Sequence, residues 1–374
     1  MSTDDVPWQT SICLAVLLFL TAGCNYDESL IREYRDSLGS PIEGADVDAG
    51  RRLVDAGADS TGRLDTVGDA GIDAEPGEAD GGPSGPRPVL LAHGFAGFEH
   101  LADVEQMTYY FGVAEVLEEE GEEIITGEVD PFNDSYDRGE ELIDQLERAV
   151  AESDYDRINI IAHSQGGLDA RYAAHHRPDL VAAVVTISTP HEGTMVSDIA
   201  LRLVDHPLLR DVIDGIAKLF GRALYDKTGE GTSFLEAIRQ FSEPEVEEFN
   251  RRITNQPNVF YASIAGRSDG NLGENFCKSP NLAPFLKRWE EVGDPVDPLL
   301  SVTEGVLDGA YGGRPNDGLV RVSDAKWGEF WGCIPADHLD EVGHLIGDEP
   351  GGENDWDHVE FYRNLVAHLH DKGY

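Results

Sequence analysis

The chain has 374 residues, with 72 Asp+Glu against 28 Lys+Arg and a formal net charge of -44. That length makes one large domain or two small ones, and an apolar content of 40% rules out a chain disordered throughout. So acidic a surface cannot neutralise phosphates, which excludes nucleic acid as a default partner and makes anionic membranes poor partners for the folded part.

The amino terminus reads as a targeting segment. Residues 12–20 are apolar without a break and lead into Thr21-Ala22-Gly23-Cys24. Nine residues of helix reach about 14 Å, short of a bilayer core of roughly 30 Å, so the run is a secretory signal and not a membrane span. Cys after Ala-Gly resembles a bacterial lipobox. Residues 1–24 are thus expected to be a signal peptide of lipoprotein type, with Cys24 as the lipidated residue and a membrane tether. The plain alternative is a cleaved signal with an incidental Cys. The protein is expected to be exported, to the cell envelope as an outer-membrane lipoprotein or into the medium. Cys13 lies inside the apolar run, which leaves Cys277 and Cys333 as an even pair able to form one disulfide in an oxidising compartment.

Residues 25–86 show no sustained period and hold 15 acidic and 5 basic residues. Val47-Asp48-Ala49-Gly50 and Val54-Asp55-Ala56-Gly57 repeat one small theme. Such Asp/Gly/Ala-rich sequence cannot bury enough surface to fold, so it reads as a disordered acidic tether. Behaviour changes at Arg87. Residues 89–92, 157–162, 180–188, 259–265 and 319–322 read as strands, and 139–151 and 167–176 as helices. Strands alternating with helices imply a mostly parallel sheet covered on both faces, in one domain spanning 87–374.

Between the 157–162 strand and the 167–176 helix lies Ala162-His163-Ser164-Gln165-Gly166-Gly167. A Ser in a sharp strand-to-helix turn between small residues is a nucleophile elbow, with Ala162 where Gly is usual. Ser is a weak nucleophile until a His takes its proton, and that His needs a buried carboxylate to set its tautomer.

The motifs then become specific. Leu91-Ala92-His93-Gly94-Phe95-Ala96-Gly97-Phe98, His163 to Leu168 with Arg171-Tyr172, Ser188-Thr189-Pro190-His191-Glu192-Gly193, Asn316-Asp317-Gly318-Leu319-Val320 and His338-Leu339-Asp340-Glu341-Val342 resemble the secreted true lipases of Pseudomonas and Burkholderia. The resemblance spans about 88 to 350 and is weak over roughly 195 to 290. It implies an α/β-hydrolase fold with a helical lid and a triad of Ser164, Asp317 and His338. The backbone N–H groups of Phe95 and Gln165 would form the oxyanion hole. His93 and His163 read as structural, His191 precedes any suitable acid in chain order, and Asp308 and Asp324 are rival acids outside the Asn-Asp-Gly context.

The same resemblance implies a structural calcium ion, the one cofactor expected, with no organic cofactor. Asp340 matches one carboxylate ligand and Asp297 the other, with Asp294 as its rival; the carbonyls of His344 and Asp348 would complete the set. The family's second Cys follows closely after the catalytic Asp, where this chain has Ser323, so Cys333 is expected to supply the partner of Cys277. Apolar residues recurring from Met195 to Phe220 resemble the lid. The function expected is hydrolysis of carboxylic esters, foremost lipids such as triacylglycerols, through an acyl-enzyme. A short-chain carboxylesterase and an inactive surface-binding lipoprotein on the same scaffold are the alternatives. Relatives often need a folding chaperone, a further expected partner beside the ester substrate.

Overall fold

In the computed structural model the chain divides into Met1–Gly81 and Gly82–Tyr374. The structure describes residues 85–95, 109–202, 238–268, 276–297, 300, 303–304, 307, 314–343 and 354–374. The expected signal peptide with Cys24, nearly all of the tether, Asp308, His344, Asp348 and the lid region beyond Arg202 lie outside these residues.

Six strands form one sheet: β1 (Val89–Ala92), β2 (Ile124–Gly127), β3 (Ile158–His163), β4 (Val181–Ile187), β5 (Phe260–Gly266) and β6 (Glu329–Ile334). Their order is β2-β1-β3-β4-β5-β6 and every pairing is parallel. The middle strands read as unbroken apolar runs because both faces are covered. In β1 the two-residue pleat sends Val89 and Leu91 into one core and Leu90 and Ala92 into the other.

On the first face pack α1 (Val113–Glu119), a 3-10 turn at Pro284–Trp289 and the last helix, α6 (His358–Asp371). Trp289, Trp331, Trp356, Phe361 and Tyr362 fill this core. The second face takes α2 (Ser135–Glu152), α3 (Gly166–His176) and α5 (Glu243–Arg252). The apolar period of α2 carries Leu142, Ile143 and Leu146 inward. It begins four residues before the expected start, because the Asp134 carboxylate caps it by accepting the Tyr136 and Asp137 N–H groups. A short helix, α4 (Met195–Arg202), opens the segment after β4. No described helix is long and apolar enough to cross a membrane.

Two strands, β2 and β6, were not expected, and one expected strand is absent. Residues 319–322 form a turn closed by a single antiparallel bridge, Asn316 to Arg321. The Asp317 carboxylate accepts the Leu319 and Val320 N–H groups, and Gly318 sits at φ 91°, so this backbone serves the acid and not the sheet. Because all strands run the same way, their carboxyl ends lie along one edge, the place where open α/β sheets form their sites.

Candidate active site

Ser164 follows the last residue of β3 and has φ 55°, a left-handed conformation that side chains rarely adopt. The strain is held from several sides. Ser164 N–H donates to the Ile187 carbonyl at 2.9 Å, and its carbonyl accepts the Thr189 hydroxyl at 2.7 Å. Gly166 is required here, since a Cβ would meet the Ala92 carbonyl oxygen at 2.4 Å. Gly94 is equally constrained: its Cβ would come within 2.7 Å of the Ser164 Cβ. The loop after β1 is thereby pressed against the elbow.

The structure brings the three expected triad residues together. His338 Nε2 lies 2.9 Å from Ser164 Oγ, and its Nδ1 lies 2.8 Å from Asp317 Oδ2. Asp317 is fully buried, and its other oxygen is occupied by the Leu319 and Val320 N–H groups at 2.8 and 2.7 Å. The His338 N–H also donates to the Asp317 carbonyl at 2.9 Å, which fixes base and acid through their backbones as well. This arrangement has the hydroxyl donating to Nε2 and Nδ1–H donating to the carboxylate.

Gln165, directly after the nucleophile, leads into α3, so its N–H belongs to the positive end of that helix. Its buried side chain donates to the Asn133 carbonyl at 2.9 Å and to Gln240 Oε1 at 3.2 Å. Phe95 packs edge-on against Phe132 and Phe241. The loop carrying it is braced by Arg138, whose Nη2 donates to the His93 carbonyl at 2.7 Å and whose Nε pairs with Asp169 at 2.7 Å.

Of the expected metal ligands, Asp340 and Asp294 come together, joined by Asp337; ligand oxygens of the three lie within 4.8 Å of one another. The sequence reading preferred Asp297 to Asp294 and missed Asp337. Asp297 adjoins the cluster: its N–H donates to Asp337 Oδ2 at 2.6 Å, and its charge helps raise both Asp294 and Asp337. Both oxygens of Asp294 are buried without a hydrogen-bond partner. Burial, reinforced by Asp337, pushes Asp294 up to about 8. Hard oxygen donors crowded together, with a buried carboxylate among them that lacks a hydrogen-bond partner, suit a hard divalent cation.

A second buried group was not anticipated. Glu341 Oε2 lies 2.8 Å from His163 Nε2, and Oε1 accepts the Ser188 hydroxyl at 2.5 Å. Burial, together with the charge of Asp317, pushes Glu341 well above the usual carboxylate range. Cys277 and Cys333 are joined by a disulfide with Cα atoms 5.3 Å apart. His191 stays away from the nucleophile, against Arg171 and Thr186. The rival acid Asp324 pairs with Arg321.

The family described as the alpha/beta hydrolase fold matches residues 87–276. A triacylglycerol lipase of Vibrio cholerae is 37% identical over 293 residues, covering 76% of this chain and 88% of its own length. One from Burkholderia plantarii is 28% identical over 319 residues, covering 76% of this chain and 86% of its own. Among solved structures, Staphylococcus hyicus lipase aligns with a TM-score of 0.52 at 16% identity, covering 78% of this chain and 99% of its own, which speaks to the fold.

Proposed function

The chain belongs to the α/β-hydrolase family and is a carboxylic-ester hydrolase of the lipase/esterase type, and we propose that within it the protein is a true lipase, cleaving long-chain acyl esters such as triacylglycerols. The observation that carries the ester-hydrolase reading is the continuous hydrogen-bonded line from Ser164 Oγ through His338 to Asp317, with the Ser held in a left-handed elbow.

In the proposed reaction Ser164 Oγ attacks the ester carbonyl carbon as His338 Nε2 takes its proton. Asp317 keeps Nδ1–H in place and stabilises the imidazolium. The carbonyl oxygen becomes an oxyanion facing the N–H groups of Phe95 and Gln165. Collapse breaks the bond to the alcohol oxygen, which leaves with the proton from His338. Water, deprotonated by His338, then attacks the acyl-Ser164; collapse breaks the acyl–Oγ bond, Oγ takes the proton back from His338, and the fatty acid leaves.

Support for the lipid substrate comes from the names of the Vibrio and Burkholderia relatives and from the aromatic wall of Phe95, Phe132 and Phe241 beside the elbow. We take 195–220 as a lid whose described part is α4, admitting acyl chains without permanent exposure of an apolar patch. The chain is read as exported, tethered to the envelope through lipidated Cys24 over an acidic linker, and served in folding by a chaperone. Asp294, Asp337 and Asp340 would hold calcium, with His344 and Asp348 as carbonyl ligands. When bound, the ion offsets their charge and ties the 294 segment to the loop bearing His338.

The test is a series of p-nitrophenyl esters from two to sixteen carbons, with emulsified triacylglycerol as the last substrate. A true lipase prefers the long chains and hydrolyses the emulsion; decline beyond short chains with no emulsion hydrolysis would make it a short-chain esterase.

A further inference from the structure

Beneath the proposed triad lies a second tier of buried polar groups that the reaction above does not use. His163 immediately precedes the nucleophile, and its ring lies against that of His338, with centroids 4.5 Å apart and planes inclined by 44°. Both of its ring nitrogens are engaged: Nδ1 with the Tyr109 hydroxyl at 2.6 Å, and Nε2 with Glu341 Oε2 at 2.8 Å. Tyr109 and Glu341 thus grip the ring from its two nitrogens and fix its plane. Glu341 is fixed in turn by Ser188, whose hydroxyl oxygen accepts the Gly266 N–H at 2.8 Å. Gly266 has been left without a side chain to admit it, since a Cβ there would sit 1.7 Å from Glu341 Oε1. The neighbouring Tyr110 closes the frame: its hydroxyl accepts the His163 N–H at 3.1 Å and donates to the Ala92 carbonyl at 2.7 Å.

We infer that His163, locked by Tyr109 and Glu341, is a positioning residue that holds the imidazole of His338 in its working orientation. The inference rests on the proposed roles of Ser164 and His338. In the free enzyme His338 is held at both ring nitrogens, by Asp317 and by Ser164. Once Ser164 carries the acyl group, its hydroxyl proton is gone and that second bond with it. The imidazole must still aim Nε2 at water, and among the described residues Asp317 and the ring of His163 are the groups that then hold it. A ring pinned at both nitrogens gives a stiff surface for that purpose; an aliphatic side chain would not. Misplacement by about 1 Å costs roughly 100-fold in rate even when the chemistry is intact.

Tyr109→Phe removes one hydroxyl, and His163→Phe keeps a ring while removing both hydrogen bonds. Each is assayed on a water-soluble short-chain ester well below its own melting temperature, with active sites counted by stoichiometric fluorophosphonate labelling. We expect kcat per labelled site to fall about 10-fold in Tyr109→Phe and about 100-fold in His163→Phe, with KM within about twofold of wild type. Rates of hydrolysis per labelled site equal to wild type in the variants, whatever the melting temperatures do, would overturn the inference and leave the tier purely structural. Should His163→Phe fail to fold, Tyr109→Phe decides alone. A wild-type chain that neither hydrolyses esters nor takes the label would instead overturn the hydrolase reading beneath it.

Discussion

Asp317 divides its two oxygens between two tasks: Oδ2 meets His338 Nδ1 at 2.8 Å while Oδ1 accepts the Leu319 and Val320 N–H groups. The carboxylate is therefore unable to rotate. An amide placed there must keep its oxygen on the backbone donors and so turn its NH2 toward Nδ1. Asp317→Asn should fold normally yet lower kcat by about 10,000-fold, because the imidazole is forced into the wrong tautomer. Steady-state kinetics with a melting curve check this; a loss under tenfold would contradict the assignment.

His191 is held away from the nucleophile by its own buried partners. Arg171 Nη1–H donates to its Nδ1 at 3.1 Å, Nε2 lies 2.9 Å from the Thr186 hydroxyl, and Trp327 stacks on the ring. Burial, then Arg171, drives its pKa well below the ordinary value. The folded state keeps it neutral, whereas the unfolded chain protonates it below about pH 6.5. Its contribution is therefore present above that pH and lost below it, by up to about 1.4 kcal/mol per pH unit. Urea titrations between pH 7 and 5 should show a slope that His191→Asn reduces by one proton; an unchanged slope would contradict the burial.

Arg138 ties the loop after β1 to α3 by pairing with buried Asp169 and donating to the His93 carbonyl. Removing one partner of a fully buried pair costs about 3–5 kcal/mol. Arg138→Met should lose about that much in urea unfolding and also react more slowly with fluorophosphonate, since the loop carries Phe95. A variant as stable as wild type would show that the pair contributes nothing.

If the cluster of Asp294, Asp337 and Asp340 binds calcium, stripping with chelator should lower the melting temperature, and calcium should restore it. At 100 times its Kd a ligand stabilises by about 2.7 kcal/mol. Asp294→Asn should abolish the calcium response. A chelator-insensitive melt would remove the metal from the account.

Much of this was legible in the sequence for physical reasons. β1, β3 and β4 are buried on both faces and so had to read as apolar runs, and the elbow announced itself by small residues between a strand and a helix. β2, at the sheet edge, is mostly half-buried and so lacks an unbroken apolar run, and β6 is broken by Gly332 at φ 131°. Residues 319–322 misled because Leu319, Val320 and Val322 are apolar for packing near the disulfide, not for pairing in the sheet. Asp337 and Glu341 flank His338 in plain view. Their partners Asp294, His163 and Ser188 come from distant segments, so only the folded chain gives them meaning. The acidity divides likewise: residues 87–374 carry 55 acidic and 23 basic residues, so most of the excess lies beyond the tether.

The central claim is that Ser164 is the activated nucleophile. Labelling with a fluorophosphonate, followed by peptide mapping, tests it most directly. The account predicts one adduct, on Ser164, absent from a Ser164→Ala variant that melts as wild type and hydrolyses no ester. An adduct on another residue, or hydrolysis persisting in Ser164→Ala, would contradict it.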